Sequence, residues 1–135
     1  MHNRPVATLK HADVEHYLAE LDGGTRARVE ATRAVVLGVR PALSEAIRWN
    51  APSYRLGDAD RLTFNVRGER VLLVLHRGTG QSERRGRRPD LPDPDGLVTW
   101  VSDVRGTIEL GDLEQITTAA PALSDLLTRW VVHES

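Results

Sequence analysis

Side chains that bind metal ions or move protons near neutral pH begin with the histidines, of which the chain has five. His11 and His16 fall on different helical faces, because a shared face needs a spacing of about three or four residues. His2 and His133 lie near the ends, and no HExxH-type pair occurs, so the histidines point to no metal site. His76 differs because it closes an otherwise apolar strand beside a long loop. There an imidazole either serves as acid, base or ligand contact at a pocket rim, or sits half-buried on a backbone hydrogen bond. The next segment, Arg77-Gly78-Thr79-Gly80-Gln81, has glycines that let backbone approach an anion. It lacks both the Gly-Lys-Ser/Thr ending of a Walker loop and the G-x-G-x-x-G spacing.

Arg84, Arg85, Arg87 and Arg88 crowd guanidinium groups into one stretch that could attract phosphate. No aromatic residue is interleaved for base stacking, and Asp90, Asp93 and Asp95 follow, so a solvated loop is expected there and no nucleic-acid partner. Those aspartates do not have the spacing of a calcium-binding EF-hand loop. The serines form no G-x-S-x-G elbow. One cluster remains: Glu45, Trp49, Asn50, Pro52, Ser53 and Tyr54, joined by Ile47 and Arg55. Apolar walls with a few polar groups are what a small-molecule pocket requires. The same rings would equally serve to plug the join between helices and sheet.

The elements that must position these groups follow from periodicity. Val14, Tyr17, Leu18 and Leu21 mark one helical face, with Asp13 as cap and Gly23 and Gly24 as stop. Thr25 is expected to cap a second helix through Val29, Val36 and Val39, ended by Gly38 and Pro41. Pro41 suits the first turn of a short third helix over 42–48. Beyond Trp49 the period shortens toward two. Segments 61–66 and 70–76 flank Arg67-Gly68-Glu69 as a hairpin, and the second arm, apolar on both faces, reads as a central strand covered on each side. Residues 78–96 read as a long surface loop without core, 97–104 as a short helix or a strand, and 107–110 as a final strand. Asp112 suits the cap of a helical turn, and Pro121 is expected to open the last helix, whose stripe is Leu123, Leu126, Leu127, Trp130 and Val131.

Composition sets the frame for all of this. With 135 residues, 40% of them hydrophobic and 27% charged, the chain has the make-up of an ordinary globular domain. A domain of this size removes roughly two-thirds of its unfolded surface from water. One domain over 1–135 is therefore expected, with 1–12 as a loose N-terminal segment. The net charge of −1 provides no field for a polyanion or an anionic membrane. No cysteine is present, which excludes disulfides, thiolate metal sites and a cysteine nucleophile. Without a signal-like apolar stretch or a membrane span, the expected location is cytoplasmic.

At Glu45-Ala-Ile-Arg-Trp49-Asn-Ala-Pro52-Ser-Tyr54 the chain resembles the YdhG-like family, a domain of unknown function. The likeness continues through Leu62-Thr-Phe64-Asn, Val71-Leu-Leu-Val-Leu75-His76-Arg-Gly78, the stretch from Pro92 to Trp100, Arg105 to Leu110, and Leu126-Leu127-Thr-Arg-Trp130-Val131. The resemblance implies an α+β fold: an antiparallel sheet of about four to five strands with N-terminal helices and a C-terminal helix packed on it. It also implies a groove near the Trp-Pro-Tyr phrase. Some members of the family resemble frataxin-type iron chaperones, a role that needs clustered carboxylates. The acids available around the first helix are Asp13, Glu15, Glu20 and Asp22, interspersed with Lys10, His11 and His16.

The function expected is a non-enzymatic domain that binds a small ligand or a peptide as a monomer or weak homodimer. The expected ligand-binding residues are Glu45, Trp49, Asn50, Pro52, Ser53, Tyr54, Phe64, His76 and Trp100. No catalytic residue, metal ligand or cofactor is assigned, iron entering only through the family resemblance. The alternatives are an iron chaperone and an enzyme using Glu45 and His76 as an acid–base pair, if folding brings the two within hydrogen-bond reach.

Overall fold

Alternating apolar side chains from residue 44 onward build a six-stranded sheet of order β1-β2-β3-β4-β6-β5 in which every neighbouring pair is antiparallel. The computed structural model describes residues 13–134, so the loose segment expected over 1–12, with His2 and His11, lies outside the described residues. The elements in order are α1 (Val14–Ala19), α2 (Gly23–Leu37), β1 (Ser44–Arg48), β2 (Ala51–Leu56), β3 (Ala59–Arg67), β4 (Arg70–Leu75), β5 (Thr99–Ser102), β6 (Arg105–Leu110) and α3 (Leu113–Val132). The α+β class with an antiparallel sheet and helices at both ends is as expected, with six strands rather than four to five.

One face of the sheet is covered. Tyr54, Leu62, Phe64, Leu73 and Ile108 pack against Val29, Val36, Leu126 and Trp130 of the helices, and each such large side chain contributes roughly 1.5–3 kcal/mol by leaving water. The other face carries Leu72 and Val74, which stay partly exposed. β4 is thus central, between β3 and β6, but it is not covered on each side as its two apolar faces suggested.

Several local expectations are corrected. Segment 42–48 is not a helix: residues 44–48 form β1, because pairing with β2 from Ser44↔Arg55 to Arg48↔Ala51 outweighs the weak propensity of so short a helix. Gly23 and Gly24 open α2 instead of stopping α1, since Asp22 rather than Thr25 is the cap, accepting the Thr25 N–H at 2.9 Å. The ambiguous 97–104 resolves as strand β5. α3 begins at Leu113 behind a capping box of Asp112 and Gln115, with Pro121 inside it. The loop over 78–96 is not without core, because Leu91 is buried.

Candidate functional site

The β1–β2 hairpin closes through Arg48↔Ala51, so its connection is the two residues Trp49 and Asn50. Both have positive φ, 55° and 57°. A two-residue hairpin with both central residues left-handed suits the right-handed twist of the strands, and such turns ordinarily carry Asn and Gly. Asn50 tolerates that region; a bulky indole there is a strained outlier costing on the order of 1–3 kcal/mol. Even so, the Trp49 side chain gains little burial and stays 49% exposed.

What holds this turn is a chain of hydrogen bonds on the open face. The Gly78 N–H donates to His76 Nδ1 at 2.9 Å, which leaves the neutral imidazole its proton on Nε2. Nε2–H then donates to Thr63 Oγ1 at 2.8 Å, Thr63 donates to Ser53 Oγ at 3.0 Å, and Ser53 donates to the carbonyls of Arg48 and Ala51, each at 3.2 Å. Those carbonyls flank Trp49 and Asn50. Burial lowers His76 to about 4; Asp60 opposes the shift, while Arg105 and Arg48 add to it. The imidazole also meets the Trp49 ring edge-on, with centroids 5.3 Å apart, and the Arg48 guanidinium lies 4.7 Å from the Trp49 centroid. Arg48 and Arg55 in turn face Asp60 Oδ1 at 3.2 and 3.4 Å, as ion pairs not aligned as hydrogen bonds.

Beside the turn lies a groove of about 670 Å³, bounded by Trp49 and Asn50, by Thr63, Asn65 and Val74 of the sheet, and by Tyr17 and Leu21 at the end of α1. Of the residues expected to bind ligand, Trp49, Asn50 and Phe64 line this groove, although Phe64 itself is buried in the core. The rest lie elsewhere. Ser53 and His76 do not line it and act beneath Trp49. Pro52 is buried opposite Ile47. Tyr54 is fully buried on the helix side, because strand alternation turns it away from Ser53. Its hydroxyl donates to Glu45 at 2.7 Å, and Glu45 holds Arg33 in a two-pronged bridge of 2.8 Å each. Burial raises the Tyr54 hydroxyl and Glu45 pushes it further up; burial alone would raise Glu45, but Arg33 and Tyr54 outweigh it and the carboxyl is net lowered. Trp100 lies on β5, its ring 5.6 Å from Trp130 and packed over Gly106, where a Cβ would come within 2.6 Å of it.

Glu45 and His76 are therefore not an acid–base pair. Glu45 opposes Tyr54 on the covered face, whereas His76 shares the open face with Thr63, and each has its own partners. Nor do the acids around α1 supply a donor set for iron: Asp13 caps α1, Glu15 meets Arg33 and Asp22 caps α2, and no group of three carboxylate or imidazole side chains converges among the described residues. Sequence reasoning missed Arg48, Thr63, Asn65 and Tyr17. The available signal was the spacing of two short alternating runs around Trp49-Asn50, which marks a two-residue hairpin.

The fold is thus an antiparallel α+β sheet with one face covered by helices, and the groove lies where α1, the β1–β2 turn and the β3–β4 pair meet. No family model, curated protein or solved structure matches the chain. Among the described residues no helix is long and apolar enough to cross a membrane.

Proposed function

We propose that the chain is a non-enzymatic binding domain that takes a small ligand or short peptide in the groove beside Trp49, with the YdhG-like resemblance part of the same reading. The observation that carries it is Trp49 itself: a half-exposed indole in a left-handed turn, held between Arg48 and His76 at the groove wall. Strain without compensating burial belongs to residues whose position serves something other than packing. Trp49 offers aromatic surface at a wall that the largely buried Tyr17 also lines, and Asn50 and Asn65 offer amides that fix orientation, the make-up of a recognition pocket. Tryptophan at such a wall is the type of residue that carries most of a binding energy.

The test is a thermal-shift and fluorescence screen of short peptides and aromatic or heteroaromatic small molecules, with Trp49→Ala in parallel. A ligand of this site raises the melting temperature of the parent, changes its indole emission and leaves the variant unmoved. If every stabilising compound acts equally on Trp49→Ala, the groove is not the binding site.

A further inference from the structure

At the end of the sheet away from Trp49, a second groove of about 640 Å³ lies between the β2–β3 turn and the glycine-containing segment 77–81. Arg61 and Arg77 both line it, as do Thr79 and Gln81. Arg61 donates from Nε to the Val131 carbonyl and from Nη1 to the Asp60 carbonyl, both at 3.0 Å. Arg77 donates from Nη2 to the His133 carbonyl at 2.5 Å and lies 4.6 Å from the Trp130 ring centroid. These bonds close the C-terminal end of α3, a role that suits cations. They leave something over. The Arg77 Nη2 also lies 3.1 Å from His133 Nδ1; even so, a guanidinium has more N–H donors than these contacts use, and the Nε of Arg77 is buried without a partner among the described residues.

Direct ion pairing is absent as well: neither guanidinium has an ion pair with a carboxylate among the described residues. Asp60, the obvious counter-ion, faces Arg48 and Arg55 instead. Asp58, Asp60 and Glu134 also line the groove, Asp58 and Glu134 from exposed positions. Burial lowers both arginines from their ordinary value and Arg61 lowers Arg77 further, while Asp60 and Glu134 oppose the shift in Arg61 and Glu134 opposes it in Arg77, so two partly buried guanidiniums stand side by side with only partial compensation. Gly78, with φ of 82°, lets the segment pack against Asp60, where a Cβ would come within 2.6 Å of Oδ2. The loop hydroxyl and amide are thereby brought to the same groove as the guanidiniums.

We infer that this groove binds a small oxyanion, a carboxylate or phosphate group, held between Arg61 and Arg77 with Thr79 and Gln81 at its rim. Planar guanidiniums match either group through paired hydrogen bonds, and a buried cation pair is stabilised by an anion between its members. The groove is a different one from that at Trp49, to which it connects through Asp60 and Arg48 and through Gly78 and His76.

The experiment is an amide and arginine side-chain NMR titration of the isotope-labelled full chain. Inorganic phosphate and acetate are the separate probes, at ionic strength held constant with chloride. Saturable shifts at Gly78, Thr79, Gly80, Gln81 and the Nε–H groups of Arg61 and Arg77, with a Kd of about 1 mM or tighter for one probe, are expected, and the two arms identify the oxyanion. Arg61→Gln should weaken binding at least about tenfold. Because either arginine also steadies α3, the pair Thr79→Val and Gln81→Ala, which spares both guanidiniums, should weaken it several-fold in a protein with an unchanged melting profile. Shifts that fail to saturate with either probe, that chloride reproduces, or that persist at full affinity in folded Arg61→Gln overturn the proposal.

Discussion

Tyr54 and Trp49 belong to one hairpin and are handled in opposite ways. Tyr54 lies within β2, fully buried, its ring 6.1 Å from Phe64 and its hydroxyl on Glu45. Trp49 lies in the turn, half exposed, with a backbone conformation that suits glycine. The difference starts in the backbone. Within a strand the pleat assigns each side chain to a face, so Tyr54 reaches the core because Ser53 does not. A turn residue escapes that alternation and must be held by other means, here by the Arg48 guanidinium and the His76 ring. An aromatic placed by the pleat is explained by packing; one placed against its backbone preference is explained by what it displays.

The largest effect expected lies at the packed end. Glu45→Ala leaves the buried Tyr54 hydroxyl without its acceptor and Arg33 without its two-pronged partner, so unfolding in denaturant should show a loss of about 2–4 kcal/mol. Tyr54→Phe removes the hydrogen bond while keeping the ring, and about 1 kcal/mol is expected. A Glu45→Ala protein as stable as the parent to within about 0.5 kcal/mol would mean that this end is not clamped and the contrast is false.

The two ends also separate by pH. Burial holds His76 at about 4 in the folded chain against 6.5 for the free side chain, so the unfolded chain takes up the proton first. Stability is full above pH 6.5, falls as pH drops from about 6.5 to about 4, and levels off below, by about 2 kcal/mol once solvent screening is allowed for. Glu45 is lowered instead, so its contribution is present above the ordinary carboxylate range and is lost only at more acid pH. Denaturation curves of His76→Gln should therefore be flatter than those of the parent between pH 6.5 and 4.5. Parallel profiles in that window would show that the imidazole does not buttress the turn as a neutral group.

Much of the core half of this contrast is legible in the sequence. The alternation over β3 and the stripe from Leu123 to Val131 each show a single period, and the covered face follows from them, whereas β4, apolar on both faces, does not tell its covered face from its open one. Segment 44–48 was not legible as a strand, because five residues hold too little periodicity to separate helix from strand and only pairing with β2 decides it. Phe64 and Trp49 stand out by type. The groove does not, because its walls come from α1, the β1–β2 turn and the β3–β4 pair, which only the fold brings together. Ser53 and His76 were recognisable as polar groups near a junction. Their linkage through Thr63 was not, since the cross-strand register that aligns them is a long-range property.

Smaller effects are expected at the displayed end. Thr63→Val interrupts the bonds from His76 to Ser53 and should cost about 1–2 kcal/mol, with the indole emission of Trp49 shifting as the turn loosens. Trp49→Gly loses a cation–π contact of about 0.5–1 kcal/mol and an edge contact of about 0.5–1.5 kcal/mol. It also relieves a left-handed backbone cost of about 1–2 kcal/mol, so a net change within about 1 kcal/mol is expected. Trp49→Ala keeps the strain and loses the ring, and should fall about 1 kcal/mol below the glycine variant in the same denaturant assay. A glycine variant as stable as the parent but unable to bind the ligands of the groove would separate display from packing. A loss of about 3–5 kcal/mol, the size of a core aromatic truncation, would instead place Trp49 in the same class as Tyr54.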